Sequence, residues 1–153
     1  MSEPDCFVCQ KFRGDNQIPE EVIYEDEMVY ACHAVNPDST TLPYLGHLIV
    51  QPKRHVPGLA ELTDSEAQQL ALLITRLSRA LKASENAEHV YLFVLGHHVA
   101  HLHYHVVPRY PGTPREYWGL HMDEWPGAPK GDAQAIADLG ARLRAHLEER
   151  HHE

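Results

Sequence analysis

Apolar and polar positions alternate along this chain with two periods, one of strands and one of helices. Val22-Ile23-Tyr24-Glu25 and the run Met28 to Val35 predict two strands, joined by the short acidic turn Glu25-Asp26-Glu27. Asn36-Pro37-Asp38-Ser39 is a turn signal, and Leu45-Gly46-His47-Leu48-Ile49-Val50 predicts a third strand ended by Pro52. Connections this short make the pairing antiparallel. Thr63-Asp64-Ser65-Glu66 has the form of a capping box. The helix it opens is expected to reach about Ala83, with Ala67, Leu70, Ile74, Leu77 and Leu81 as its apolar stripe. His89 to Leu95 is nearly all apolar and predicts a buried central strand, with Gly96 marking a turn.

The stretch His101-Leu102-His103-Tyr104-His105-Val106-Val107 then alternates histidine with bulky residues. A strand places successive side chains on opposite faces. His101, His103 and His105 are therefore expected on one face, roughly 6.5 to 7 Å from one to the next. Val106-Val107-Pro108 argues against a helix here. His97-His98-Val99-Ala100 makes this strand the hairpin neighbour of the one before it. A last helix is predicted from about Ala133 to Glu149, with Ile136, Leu139, Leu143 and Leu147 on its buried side. The pattern as a whole gives an α+β fold: an antiparallel sheet of about five strands with two main helices.

The chain's 153 residues fit a single domain with a sizeable core. Residues 1–110 form its core unit. Residues 111–153 are an excursion rich in Pro, Gly and aromatics, followed by the last helix, packed on the same domain. Both tryptophans, Trp118 and Trp125, lie in that excursion. A tryptophan covers something when it can, so the segment is expected to lie over the core, a partner subunit or a ligand base.

Charge narrows the partners. Thirteen basic against twenty-two acidic residues give a formal charge of −9, which disfavours a nucleic-acid polymer but not a small phosphate compound held in a locally positive site. No apolar stretch is long enough for a membrane span, and the acidic, polar start MSEPDCFVCQ does not read as a secretory signal, so a cytoplasmic protein is expected. Three cysteines do not describe a disulfide framework. Cys32 sits in an apolar run and reads as a buried small hydrophobe. Cys6 and Cys9 form a C-x-x-C pair, half of a metal site, able to reach one ion from a tight turn. His55, taken alone, reads as a surface histidine. It gains meaning only if it meets Cys6, Cys9 and one histidine of the alternating strand.

Two chemistries suit histidines that share a strand face. A neutral imidazole attacks phosphorus and leaves again once protonated, while a neighbouring imidazole donates to the phosphate oxygens. His-x-His on a strand is equally a metal-ligand pair.

These residues carry a resemblance. His101-Leu102-His103-Tyr104-His105-Val106-Val107 resembles the defining motif of the histidine triad (HIT) family. Gly46-His47-Leu48-Ile49-Val50-Gln51-Pro52-Lys53-Arg54-His55 is similar to its Gly-His-hydrophobic-Pro-Lys-x-His segment, and Val29 to Pro37 lies where that family's nucleoside-contacting strand and turn fall. The resemblance covers roughly Cys6 to Tyr110. It implies a HIT-like fold, a homodimer, and a hydrolase or transferase acting on the α-phosphate of dinucleoside polyphosphates or nucleoside phosphoramidates. It implies His103 as the nucleophile that takes up the nucleotidyl group and His105 as the phosphate-binding neighbour. Val35 and Asn36 are implied as nucleotide contacts. Cys6, Cys9, His55 and His101 are implied as the ligands of a structural zinc. The sequence departs from the family at two places. Gly96 is followed by His97 and His98 where members carry a glutamine that positions phosphate, so one of these histidines is the candidate replacement, and the glycine-rich turn before it is shorter than the family's because Leu95 runs directly into Gly96. Ala34 stands where an acid often holds the ribose. The alternative reading is a nucleotide-binding regulatory module whose triad is slow or inactive.

Overall fold

One carboxylate closes the first hairpin. Asp26 Oδ1 accepts from the backbone N–H groups of Met28 and Val29 at 2.8 and 2.9 Å, so β1 (Val22–Glu25) turns into β2 (Val29–His33) within three residues. A computed structural model describes residues 5–17, 19–36 and 40–149. Residues 37–39 of the expected turn, and the tail from Arg150, lie outside the described residues. The remaining strands are β3 (Leu48–Pro52), β4 (His89–Phe93) and β5 (Tyr104–Arg109). All pairs are antiparallel, in the order β1-β2-β3-β5-β4. The helices are α1 (Phe7–Arg13), α2 (Asp64–Glu85) and α3 (Ala133–Glu149).

The two long helices cover one face of the sheet. Val29 and Ala31 of β2, Leu48 and Val50 of β3 and Val106 of β5 point into a core shared with Leu70, Leu77 and Leu81 of α2 and Leu139 and Leu143 of α3. Burying each such leucine contributes about 1.5–3 kcal/mol, so this layer dominates the stability of the domain. The capping box of α2 is complete: Thr63 Oγ1 accepts from Glu66 N–H at 3.1 Å, and Glu66 Oε1 accepts from Thr63 N–H at 2.9 Å. Its buried stripe is Leu70, Leu73, Leu77, Ala80 and Leu81, with Ala67 exposed and Ile74 half-buried, so the true phase is rotated slightly from the expected one. Gly140 lets α3 approach β1, because a Cβ there would lie 2.8 Å from the Glu21 side chain.

Three strand expectations need correction. The third strand starts at Leu48 rather than Leu45, because Gly46 turns the chain at φ +87°. His89 to Leu95 is not a central strand. β4 is the sheet edge, ends at Phe93, and leaves Leu92 and Leu95 each 48% exposed. A continuous apolar run marks a strand apolar on both sides, and it does not say whether its own chain covers both. The histidine strand starts only at Tyr104. Its ladder with β3 ends at Val50↔Tyr104, two residues short of Pro52, which has no N–H to extend it. Leu102 N–H donates instead to the Val56 carbonyl at 2.7 Å. The hairpin of β4 with β5 is formed as expected.

The opposite face of the sheet is covered at two ends. α1 packs there through Phe12, edge-on to Tyr30 with ring centroids 5.1 Å apart. The excursion packs at the other end, where Met122 is buried with Tyr44 and Tyr110. Trp118 lies flat on Arg109, whose guanidinium is 3.6 Å from the ring centroid, and its Nε1–H donates to the Thr113 carbonyl. The backbone of the excursion's end is tied to the β2–β3 connection by Leu45 N–H to Pro129 O and Gly131 N–H to Pro43 O. Among the described residues, no helix is long and apolar enough to cross a membrane.

Gly46 is where these layers meet most closely. A Cβ there would lie 2.5 Å from Tyr110 Oη and 2.7 Å from Pro108 Cγ, and its φ is left-handed. Gly46→Ala is expected to lose about 2–4 kcal/mol, the sum of left-handed strain and overpacking, read as a lower urea midpoint at unchanged slope.

Candidate functional site

The face left open between α1 and the excursion carries histidines from two strands. The register Ile49↔His105 sets β3 beside β5. His47, two residues before Ile49, therefore projects from the same face as His105. Its Nε2 lies 2.9 Å from His105 Nδ1. His103 completes the group, with its ring centroid 4.9 Å from that of His105. Two of the three alternating histidines thus meet as expected, closer than the strand repeat because His103 precedes the strand.

Hydrogen bonds assign the protons on several of these rings. His103 Nδ1 is 2.8 Å from the His101 carbonyl, which only accepts, so Nδ1 carries the proton and Nε2 is the nitrogen left for chemistry. His33 Nδ1–H donates to the Ala34 carbonyl at 2.7 Å, and its Nε2 accepts from Gly46 N–H at 2.9 Å. That pair of bonds requires neutral His33, and burial holds its pKa below the usual histidine range. Burial, then the neighbouring His105 and His33, push His47 down to about 3. Burial, then His103, lower His105 as well. His47 and His105 therefore face each other as neutral rings near neutral pH, one N–H donating to the other ring's lone pair.

Two cavities open on either side of this pair and share it. The first, about 500 Å³, is walled by Phe7 and Val8 of α1, Cys32, Ile49 and Val99, and contains His103. Its walls are mostly apolar. Val35 lines it, as does Ala34, which offers no acid. Glu20 also lines it, with its carboxylate engaged by Lys11 Nζ at 3.0 Å and Tyr30 Oη–H at 2.9 Å. Burial pushes the Cys32 thiol up to about 12, consistent with the inert small hydrophobe expected. The second cavity, about 440 Å³, is walled by the excursion and by Asn36, Thr41 and Tyr44. Val35 and Asn36 thus fall on opposite sides of the histidine pair. His97 and His98 are exposed, with rings 6.3 Å apart, and line neither cavity.

The first histidine serves a different centre. His101 is fully buried, and its Nε2–H donates to the Pro52 carbonyl at 2.7 Å. Its Nδ1 then faces Cys6 Sγ at 3.6 Å and Cys9 Sγ at 3.5 Å, while His55 Nδ1 lies 3.4 Å from Cys9 Sγ. The four ligand atoms all lie within 4.8 Å of one another. Around a tetrahedral zinc, with sulfur at about 2.3 Å and nitrogen at about 2.0–2.1 Å, a sulfur and a nitrogen stand roughly 3.5 Å apart. The donor set fits that ion. The cysteines do not sit on a tight turn as expected: Cys6 caps α1 and Cys9 lies in its first turn, which brings both thiols to one side. Seven residues are too few for a helical period to show in sequence. Arg54 holds the His55 segment against α2 through Glu66, at 2.7 and 3.1 Å, and that contact pulls the Glu66 carboxyl down to about 2.

Sequence reasoning assigned no role to His47, although it stood in the quoted Gly-His segment. The available signal was alternation, since His47, Ile49 and Gln51 share a face if β3 pairs with the histidine strand. That pairing is non-adjacent in sequence.

Comparison with known proteins agrees with this geometry. Residues 15–112 match the family model of the HIT domain. The chain is 27% identical over 148 residues to the adenosine 5'-monophosphoramidase hnt1 of Schizosaccharomyces pombe, covering 93% of this chain and 98% of the relative. It is 32% identical over 99 residues to a bifunctional bis(5'-adenosyl)-triphosphatase/adenylylsulfatase of Arabidopsis thaliana, covering 61% of this chain and 52% of that one. Among solved structures it superposes on a zinc-bound histidine triad family protein from Mycobacterium smegmatis with a TM-score of 0.71 and 25% identity, covering 98% of each chain. Sheet order, the histidine pair beside His103 and the matched stretch lead to one assignment: the chain belongs to the HIT domain family.

Proposed function

We propose that the protein is a nucleotide hydrolase or nucleotidyl transferase that works through a covalent intermediate on His103. The observation that carries this reading is the single hydrogen bond from His103 Nδ1–H to the His101 carbonyl, which leaves Nε2 as a nucleophile beside an apolar cavity large enough for a nucleoside. Two relatives named for nucleotide hydrolysis support it.

Nε2 of His103 attacks the α-phosphorus, a P–N bond forms, and the bond to the leaving group breaks with its electron pair going to that group, a polyphosphate leaving as its anion and an amine taking up one proton from solvent. Water then attacks phosphorus, the P–N pair returns to Nε2, and one proton of the water is released, yielding a nucleoside monophosphate. Another acceptor in place of water makes the reaction a transfer. With His47 donating to His105 Nδ1, the Nε2–H of His105 is left to donate to a non-bridging phosphate oxygen, where charge grows in the transition state. Val35, at the rim of the first cavity, would contact the nucleoside.

His103→Asn is expected to lower kcat by at least about a thousandfold, as loss of a covalent nucleophile does, with nucleotide still bound. His105→Asn is expected to lose about 3 kcal/mol, the worth of one transition-state hydrogen bond. Adenosine phosphoramidate and diadenosine polyphosphate turnover measures both, and rapid quench with mass spectrometry should find an acid-labile, base-stable nucleotide on His103. Survival of turnover in His103→Asn would place the nucleophile elsewhere, whereas absence of turnover in the unmodified protein would leave the slow or inactive regulatory reading in its place, a reading that His97 and His98, standing clear of both cavities, favour.

Zinc is proposed as the ion of the Cys6, Cys9, His55, His101 group, in a closed structural role. It would anchor α1 and the backbone of His101, whose carbonyl orients His103. One zinc per chain is expected by metal analysis of untagged protein. Chelation, or Cys6→Ser, is expected to lower the melting temperature by roughly 5–10 °C, the effect of 2–3 kcal/mol in a domain of this size. Protein free of zinc, with a melting temperature unmoved by Cys6→Ser, would remove this assignment.

A homodimer is proposed as well. The β4 edge offers unpaired backbone groups alongside exposed Leu92, Val94 and Leu95, a surface suited to isologous pairing. Light scattering at micromolar concentration should give twice the chain mass. A species of single-chain mass would count against it.

A further inference from the structure

We infer that the second cavity is a leaving-nucleotide site, and that Lys130 within it selects dinucleoside polyphosphates over substrates with a small leaving group. The inference rests on the proposed reaction at His103 and goes on to name its substrate.

The cavity lies across the His47–His105 pair from His103 and shares both rings with the first. In an in-line displacement the leaving group departs on the side away from the attacking nitrogen. A nucleoside in the apolar cavity beside His103 and an α-phosphate at His105 therefore put the leaving group in the second cavity. Its wall is chemically suited to a nucleoside phosphate. Among the described residues, Lys130 is the one lysine or arginine that lines it, and no ion pair engages its ammonium. Its backbone is pinned, through the hydrogen bonds on either side of it to Leu45 and Pro43, so the side chain extends from a fixed point. Asp123 supplies an acceptor for ribose hydroxyls, and Leu42 and Leu120, each about half exposed, offer an apolar rim for a base.

This wall belongs to the chain rather than to the matched domain. The family match ends at residue 112, whereas Leu120, Asp123 and Lys130 all come from the excursion. On a chain of net charge −9, a lysine in the same cavity as the histidine pair, with no ion pair among the described residues, offers a polyphosphate a cation that an ammonia leaving group does not need. When the bond to the α-phosphorus breaks, the departing nucleoside polyphosphate keeps the electron pair on its terminal oxygen, where an ammonium stabilises it without giving up a proton.

The test is a ratio. The kcat/KM for diadenosine tetraphosphate is divided by that for adenosine 5'-phosphoramidate, in the unmodified protein, K130A and K130R. K130A is expected to lower the ratio roughly tenfold, the loss of one charge-assisted contact, and K130R to restore most of it. A ratio unmoved by K130A, or two activities that fall together, overturns the inference. A second arm needs no turnover: diadenosine tetraphosphate and AMP are titrated into His103→Asn protein with and without K130A. Weaker binding of the dinucleotide alone is the expected result, and equal affinities overturn it. Were the unmodified protein to turn over neither substrate while this binding difference stood, the reaction at His103 would fall and the leaving-nucleotide site would stand as a binding site.

Discussion

The antiparallel register that sets Ile49 opposite His105 is the constraint on which both chemical centres depend. It carries His47 to within 2.9 Å of His105, and the chain running back from β5 then delivers His103 beside them and His101 to the Pro52 carbonyl. A slip of one residue would turn His105 into the helix-packed face and Val106 out of it. The register is held by what lies beneath it. Leu48, Val50 and Val106 are fully buried against α2, and each is worth more than any surface contact around the site. The reactive face is therefore precise because the opposite face is apolar.

The two histidine centres are coupled through one residue. His101 offers Nδ1 to the cysteines, uses Nε2–H to hold Pro52, and lends its backbone carbonyl to His103. The metal-ligand group and the nucleophile thus share a short stretch of backbone, which explains why α1, with only seven residues, is placed where it is. A helix that short has little stability of its own and is held by tertiary contacts, here Phe12 on Tyr30 and Lys11 on Glu20. The excursion does the corresponding work at the other end, where Arg109 beneath Trp118 and the backbone ties to Pro43 and Leu45 fix the wall of the second cavity. The histidine pair sits between the cavity walled by α1 and the cavity walled by the excursion.

Much of this was legible in residue order alone. The capping box at Thr63 and Glu66, the stripe of α3, the first hairpin and the alternation of His103 with His105 are local patterns, and each involves residues within a few positions of one another. The family motif added the grouping of Cys6, Cys9, His55 and His101, which the ligand distances bear out as a cluster. Tertiary structure alone decided the rest. β4 lies at the sheet edge because strand order is set by which faces pair across long connections, and an apolar run carries no record of that order. His47 became part of the site only when β3 met β5, a contact between residues 58 apart in sequence. Lys130 reached the second cavity because the excursion folds back on the β2–β3 connection through backbone hydrogen bonds, which any side chain at that position would permit. Local periodicity reports which way a side chain points. What it points at depends on pairings whose cost in chain entropy is repaid only by the assembled core.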